Sequence, residues 1–143
     1  MPIPMAIQHA TEDFERFLAD ARDTSGLTTR NQTYTMVDGV LRAFRARLNV
    51  RDAIRFANVL PPVLRAIFVA DWDTDTAPLA FADRTVMTKD AQGLRTHHNF
   101  APDTCIADVA QALRRNMDAA ALDQVLETLP EGARAFWRVP EAA

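Results

Sequence analysis

The stretch LPPVLRAIF, residues 60–68, is followed later in the chain by a related stretch, LPEGARAFW, residues 129–137. Both begin with Leu-Pro, and both carry an Arg-Ala pair followed by two large apolar residues. Proline interrupts a helix that is already running but suits the first turn of a new one. Each Leu-Pro pair therefore predicts the end of one helix and the start of the next.

The same offset of 69 residues aligns further apolar positions without a gap. The aligned pairs are Val37 with Ile106, Val40 with Val109, Phe44 with Leu113, Leu48 with Met117, Val50 with Ala119, Ala53 with Leu122, Phe56 with Val125, Ala57 with Leu126 and Leu60 with Leu129. This pattern predicts two related multi-helix halves, a first repeat at about residues 11–70 and a second at about 83–139, joined by a linker at about 71–82. We expect the halves to pack around one core about a pseudo-twofold axis, as one helical domain over residues 1–143.

Composition favours an all-α fold. Only 4 of the 143 residues are glycine, and hydrophobic residues make up 48% of the chain, which is enough apolar material for one core. Thr11, Asn49 and Asp118 are predicted to cap helices, because their side-chain oxygens can accept hydrogen bonds from the first turn. The fold class predicted is thus a single all-α helical bundle.

Apolar spacing gives the predicted buried faces. A long helix over about residues 29–48 would bury a stripe that begins at Tyr34 and ends at Leu48. The next helix would bury Val50 together with the apolar residues that follow at helical spacing. A further helix is predicted from Asp83 to about His98.

These features resemble the bacterial family known as domain of unknown function 2267. The resemblance lies in a Phe-x-x-Phe-Leu helix, a long amphipathic helix and the repeated Leu-Pro stretch, with the segment 98–104 also similar to one branch of the family. It covers roughly residues 11–138. The resemblance implies a small all-α fold, and because the family has no agreed activity it supplies no catalytic residue.

Cysteine usage and hydropathy bear on location. Cys105 is the single cysteine, so no disulfide forms within the chain, which fits a reducing cytoplasm. We find no secretory signal, and no apolar run approaches the roughly 20 residues of a membrane span. The sequence therefore predicts a cytoplasmic protein without a membrane partner.

Charge is unevenly distributed along the chain. Residues 26–70 carry seven arginines against Asp38 and Asp52, whereas the flanking regions are acidic. The candidate surface for a polyanion or a protein partner consists of five of these arginines: Arg42, Arg45, Arg47, Arg51 and Arg55. At the offset of 69, Arg51 and Arg55 align with Ala120 and Gln124, so a repeated fold does not require them. Arginines bind phosphates and carboxylates well, but the five do not form one row, and the sequence favours a surface that is solvated or paired within the fold.

Several residues are candidates for metal binding or catalysis. Asp71, Asp73 and Asp75 alternate as in a calcium loop, but Thr76 and Ala82 stand where that loop needs glycine and glutamate. The two adjacent histidines, His97 and His98, point about 100° apart on a helix and do not chelate as an i, i+4 pair does. Cys105 lies near a helix start, where a thiol pKa falls, but it also borders an apolar stripe. We predict no catalytic, cofactor-binding or metal-binding residue and no cofactor.

Three functions stay open. The first is a non-enzymatic helical module that binds an unidentified protein partner or a second copy of itself. The second is a polyanion or nucleic-acid binder that uses the arginines of the first half. The third is a cryptic enzyme or metal protein that uses Cys105, His97 or His98. The absence of a recognisable catalytic motif favours the first function.

Overall fold

The computed structural model describes residues 1–140, and every regular element in that range is a helix, which confirms the predicted all-α fold. The α-helices are α1 Met5–Gln8, α2 Ala10–Ser25, α3 Arg30–Arg45, α4 Val50–Ala57, α5 Pro62–Val69, α6 Arg84–Gly93, α7 Cys105–Arg115, α8 Ala119–Glu127 and α9 Ala133–Phe136. A short 3₁₀ turn spans Thr96–His98.

Two predicted caps begin helices as expected. The Asn49 side-chain oxygen accepts a hydrogen bond of 2.8 Å from the Asp52 backbone N–H at the start of α4. Asp118 accepts one of 3.2 Å from the Ala121 backbone N–H at the start of α8. Each bond satisfies a backbone donor that the helix itself leaves unpaired.

Two predicted helix boundaries are wrong. The first long helix begins at Ala10 rather than with Thr11 as its cap, and the helix predicted to reach His98 ends at Gly93. The side-chain amide of Asn99 donates to the Ala91 and Leu94 carbonyl oxygens at 2.9 and 2.8 Å, and so satisfies acceptors left at that end. These bonds hold Asn99 against the end of α6, so the residues after Gly93 form a loop that does not continue the helix.

Two residues predicted to be buried are exposed. Tyr34 of α3 keeps 43% of its surface accessible, and Val50 of α4 keeps 38%. Apolar spacing identifies the side of a helix that tends to face the core, but it does not say how far along the helix a neighbour extends. Both residues lie near the starts of their helices, where neighbouring elements cover them only in part.

The core is centred on Phe44. Its ring lies 4.7 Å from that of Phe56, 5.0 Å from Phe136 and 5.4 Å from Trp137, measured between ring centroids, so three separate helical segments meet there. Such aromatic pairs add to the hydrophobic stabilisation of the buried area. Leu60 and Leu129, the residues before the two prolines, are only 2% and 8% exposed, as the repeat predicts for core positions.

Two helix pairs dominate the packing, α3 against α6 and α2 against α7. Gly39 of α3 lies against the backbone of Ala91 in α6, where an added methyl group would overlap the Ala91 carbonyl oxygen. A glycine weakens a helix in isolation, but here its missing side chain allows two helices to approach closely.

One contact recurs at the offset of 69 residues. Arg45 donates to the Phe68 carbonyl oxygen at 3.0 Å, and Arg114 donates to the Trp137 carbonyl oxygen at 3.0 Å. Exchanging the two predicted halves would also exchange the α3–α6 pair with the α7–α2 pair. The derivation of the fold from two related halves nevertheless stays a prediction.

Candidate functional site

Arg45, one of the five candidate arginines, is an interior residue. It is 8% exposed, and one of its terminal nitrogens donates to the carbonyl oxygens of Phe68 and Ala70 at 3.0 and 2.8 Å. Its guanidinium lies 5.3 Å from the centre of the Trp72 ring. Burial lowers the pKa of Arg45 from its ordinary value. These contacts fix the end of α5 and the start of the following loop to α3.

Arg47, just beyond α3, is also internal. It is 4% exposed, donates to the Ala43 carbonyl oxygen at 2.7 Å and pairs with the Asp90 carboxylate of α6 at 2.6 Å. Its Nε has no hydrogen-bond partner among residues 1–140. The side chain ties α3 to α6, so it takes part in packing and is not available at the surface.

Arg42 occupies an intermediate position. Its Nε donates to the Asp38 carboxylate at 2.9 Å, and a terminal nitrogen lies 3.8 Å from the Asp71 carboxylate. Asp71 adopts a left-handed backbone conformation with φ of 54°. The Asp73 carboxylate accepts a hydrogen bond of 3.0 Å from the Asp75 backbone N–H, within the same loop. The aspartates therefore partner an arginine and a local turn.

The remaining two arginines lie on the outward side of α4. Arg51 and Arg55 are exposed beside two exposed aliphatic residues, Val50 and Ile54, which keep 38% and 52% of their surface accessible. A terminal nitrogen of Arg55 lies 3.9 Å from the Asp52 carboxylate, a weak ion pair. Arg51 forms no ion pair within residues 1–140. We call these four residues, Val50, Arg51, Ile54 and Arg55, the α4 face. The structure thus leaves two of the five arginines on one freely accessible surface.

A family model described as "Uncharacterized conserved protein (DUF2267)" matches residues 14–136. The chain belongs to the DUF2267 family. None of the curated proteins compared with the sequence matches it. Among the described residues of this DUF2267 protein, the helices are all too short or too polar to span a bilayer.

Cys105 is the first residue of α7 and is fully buried. Burial, followed by the nearby Asp108 carboxylate, raises the pKa of the Cys105 thiol to about 11. The sulfur is therefore protonated at neutral pH, whereas a nucleophilic cysteine needs a thiolate. In this DUF2267 protein the cysteine fills space between helices.

The two histidines lie in the 3₁₀ turn rather than on a helix, and both are exposed. Within residues 1–140, no three His, Cys, Asp or Glu side chains are grouped closely enough to hold a metal ion. His98 instead lines a surface cleft together with residues from the first turns of α3. The sequence gives no sign of that meeting, because the residues come from opposite halves of the chain.

Ile54 is an exposed aliphatic residue that apolar spacing alone does not identify. At the offset of 69 residues Ile54 aligns with Asp123, a charged residue that is also exposed. This pairing of an aliphatic residue with an aspartate is a sequence signal that the position belongs to an outer surface. The same comparison identifies Phe56, which aligns with Val125, as inward-facing.

Proposed function

We propose that this DUF2267 protein is a non-enzymatic helical module that binds another protein through the α4 face. The observation that carries the proposal is the exposure of Val50 and Ile54 next to Arg51 and Arg55. Val50 with Ile54 and Arg51 with Arg55 are i, i+4 pairs, so the two aliphatic residues form one row along α4 and the two arginines form the adjacent row. Exposed aliphatic residues grouped with arginines are typical of binding surfaces.

Both ends of α4 are fixed, which supports a binding role. Asn49 caps its first turn, and at its far end Arg65 donates to the Ala57 and Leu60 carbonyl oxygens at 2.9 and 3.1 Å. Phe56 anchors the inward side and is fully buried. A surface held in one conformation loses little entropy on binding.

The charge of the surface indicates the partner's chemistry. Two arginines beside two aliphatic residues complement an amphipathic segment that carries acidic and apolar side chains. We therefore propose an acidic, amphipathic helix of another protein as the occupant. The lone, buried Cys105 and the family resemblance support a cytoplasmic location in a bacterium for this encounter.

Nucleic-acid binding is less well supported at this surface. Arg45 and Arg47 already hold carbonyl and carboxylate oxygens inside the fold, and Arg42 pairs with Asp38. The two arginines that remain could neutralise only about two phosphates, and affinity for a polyanion grows with the number neutralised.

The test is fluorescence anisotropy with three labelled helical peptides of equal length: acidic amphipathic, basic amphipathic and neutral polar. We expect saturable binding of the acidic amphipathic peptide, weakened about tenfold or more by Val50→Ser/Ile54→Ser and by Arg51→Ala/Arg55→Ala. The matched control is Ala120→Ser/Gln124→Ala on α8, which should leave binding unchanged. Equal binding of the three peptides, or binding insensitive to the α4 variants, contradicts the proposal.

Sedimentation equilibrium tests whether a second copy of this chain, and not another protein, covers the α4 face. If the α4 face is covered by a second copy, the wild-type protein will form a dimer that Ile54→Ser dissociates. That result would replace the proposed partner with self-association. We expect the wild-type protein to sediment as a monomer at micromolar concentration.

A further inference from the structure

The two most exposed aromatic side chains line the same cleft. Tyr34 and Phe100 keep 43% and 58% of their surface accessible, whereas every other Phe, Tyr and Trp of the chain is buried or half-buried. The cleft has a volume of about 290 Å³ and lies between the first turns of α3 and the loop that follows α6. An exposed aromatic ring offers a flat apolar face on which another ring can stack.

The cleft also carries positive charge without a neutralising carboxylate. Arg95 and His98 line it, together with the amide side chain of Asn31, and none of its lining residues is Asp or Glu. An arginine that faces such a cleft can donate several hydrogen bonds to an anionic group.

Arg95 holds its place at an energetic cost. Its backbone is left-handed, with φ of 53° and ψ of 56°, a conformation that glycine adopts more easily than other residues. Gly26, which aligns with Arg95 at the offset of 69 residues, is itself left-handed with φ of 77°. The chain thus carries an arginine at a position where glycine would fit without strain, and strained positions of this kind cluster at ligand sites.

The rings are presented from fixed backbone. On one side of the cleft, Tyr34 lies between two buried threonines of α3. On the other side, Phe100 lies between Asn99 and Ala101, and the Asn99 side-chain oxygen accepts a hydrogen bond of 3.0 Å from the Ala101 backbone N–H. Together with the two carbonyl contacts of the Asn99 amide, this bond holds the loop against α6, so the backbone that carries Phe100 is fixed before any ligand arrives.

We propose that this cleft binds a nucleotide unit, with the base stacked on Tyr34 and Phe100 and a phosphate paired with Arg95. A ligand that satisfies the site must combine a flat aromatic ring with an anion, which is the chemistry that free nucleotides and single-stranded nucleic acids share. His98 supplies a further ring nitrogen for hydrogen bonding. The site is separate from the α4 face, because none of the residues that line the cleft belongs to α4.

The test is isothermal titration calorimetry at about 150 mM salt with four probes: adenosine monophosphate, adenosine, inorganic phosphate and an oligoadenylate of about ten nucleotides. We expect saturable binding of a probe that carries both base and phosphate, and binding about tenfold weaker for adenosine or phosphate alone. An oligoadenylate that binds about tenfold more tightly than the mononucleotide supports a single-stranded nucleic acid as the source. Equal affinities support a free nucleotide.

Three variants locate the site. Phe100→Ala and Tyr34→Ala should each weaken the base-containing probes about fivefold or more. Arg95→Gly should weaken the phosphate-containing probes but not adenosine, and its melting temperature should not fall below that of wild type, because glycine relieves the left-handed strain. Arg16→Ala, on the exposed side of α2, is the control that should bind like wild type.

Two results overturn the proposal. One is the absence of binding by both adenosine monophosphate and oligoadenylate at millimolar concentration. The other is binding that survives Phe100→Ala and Arg95→Gly, including an oligoadenylate complex lost only in Arg51→Ala/Arg55→Ala. Circular dichroism of each variant shows whether a loss of binding comes from the cleft or from unfolding.

Discussion

Helices α4 and α8 begin 69 residues apart, each capped by a side-chain oxygen, yet they present different outer surfaces. Their inward positions are both apolar, as in the pair Phe56 and Val125. Their outward positions differ: Val50, Arg51, Ile54 and Arg55 of α4 align with Ala119, Ala120, Asp123 and Gln124 of α8. In these two helices the inward positions that resemble each other maintain the fold, whereas the four outward residues of α4 that differ are exposed.

The arginines divide in the same way. Arg45 and Arg114 align at the offset of 69 and hold the aligned carbonyl oxygens of Phe68 and Trp137. Arg51 aligns with Ala120, and its side chain forms no hydrogen bond or ion pair within residues 1–140. The aligned pair Arg45 and Arg114 is thus structural, whereas Arg51, which has no aligned arginine, remains accessible.

The largest expected effect concerns the two leucines before the prolines. Leu60→Ala and Leu129→Ala should each lower the free energy of unfolding by about 2–5 kcal/mol, because each leaves a cavity in the core. Urea denaturation followed by circular dichroism measures both. Losses below about 0.5 kcal/mol at both positions would break the comparison, since aligned leucines would then not be equivalent core residues.

The next effect concerns the contact between α3 and α6. Gly39→Ala should lower the free energy of unfolding by about 1–3 kcal/mol, because the added methyl group meets the Ala91 carbonyl oxygen. Gly93→Ala is the matched control, since nothing lies within 4 Å of its added methyl group. Equal denaturation midpoints for the two variants would show that the helices do not approach each other as described.

Removing the structural arginines should cost less than removing a core leucine. Arg45→Met leaves the carbonyl oxygens of Phe68 and Ala70 without their donor and should lower the free energy of unfolding by about 1–3 kcal/mol. Arg114→Met removes the donor to the Trp137 carbonyl oxygen and the ion pair with Asp123, both at a partly exposed site, so we expect about 1 kcal/mol. Arg51→Ala should change it by less than about 0.5 kcal/mol. An Arg51→Ala loss as large as that of Arg45→Met contradicts the division.

These arginines also show what sequence alone could not supply. Caps and Leu-Pro breaks are local features, so they predicted the starts of α4 and α8 correctly. Whether Arg45 is buried depends on carbonyl oxygens that only the folded chain brings to it, and arginine in a sequence is usually read as a surface residue. Tyr34 and Phe100 line the same cleft because distant segments pack together, and no spacing rule in the sequence predicts that arrangement.

A pH-dependent effect tests the contact between α2 and α7. Hydrogen bonds from Arg115, at 2.6 and 2.9 Å, and from Asn116 lower the pKa of Asp20 below its ordinary value of 3.8. Because the folded-state pKa is the lower one, this contact stabilises the fold above about pH 3.8 and is lost as the pH falls through the folded-state value.

Asp20→Asn should therefore lower the melting temperature slightly at neutral pH and progressively less as the solution is made more acidic. Thermal denaturation across that pH range measures the difference. In the background of Arg115→Ala, the same substitution should have a smaller effect at neutral pH, because the main donor is already absent. A difference that grows on acidification contradicts this assignment.

The most direct test of the account replaces the α4 face with its aligned residues from α8, as Val50→Ala/Arg51→Ala/Ile54→Asp/Arg55→Gln. Urea denaturation and the affinity for the acidic amphipathic peptide are then measured on the same sample. The account predicts a free energy of unfolding within about 1 kcal/mol of wild type and an affinity at least about tenfold weaker. Unchanged peptide affinity in this folded variant would contradict the claim that the outward residues absent from α8 form the binding surface.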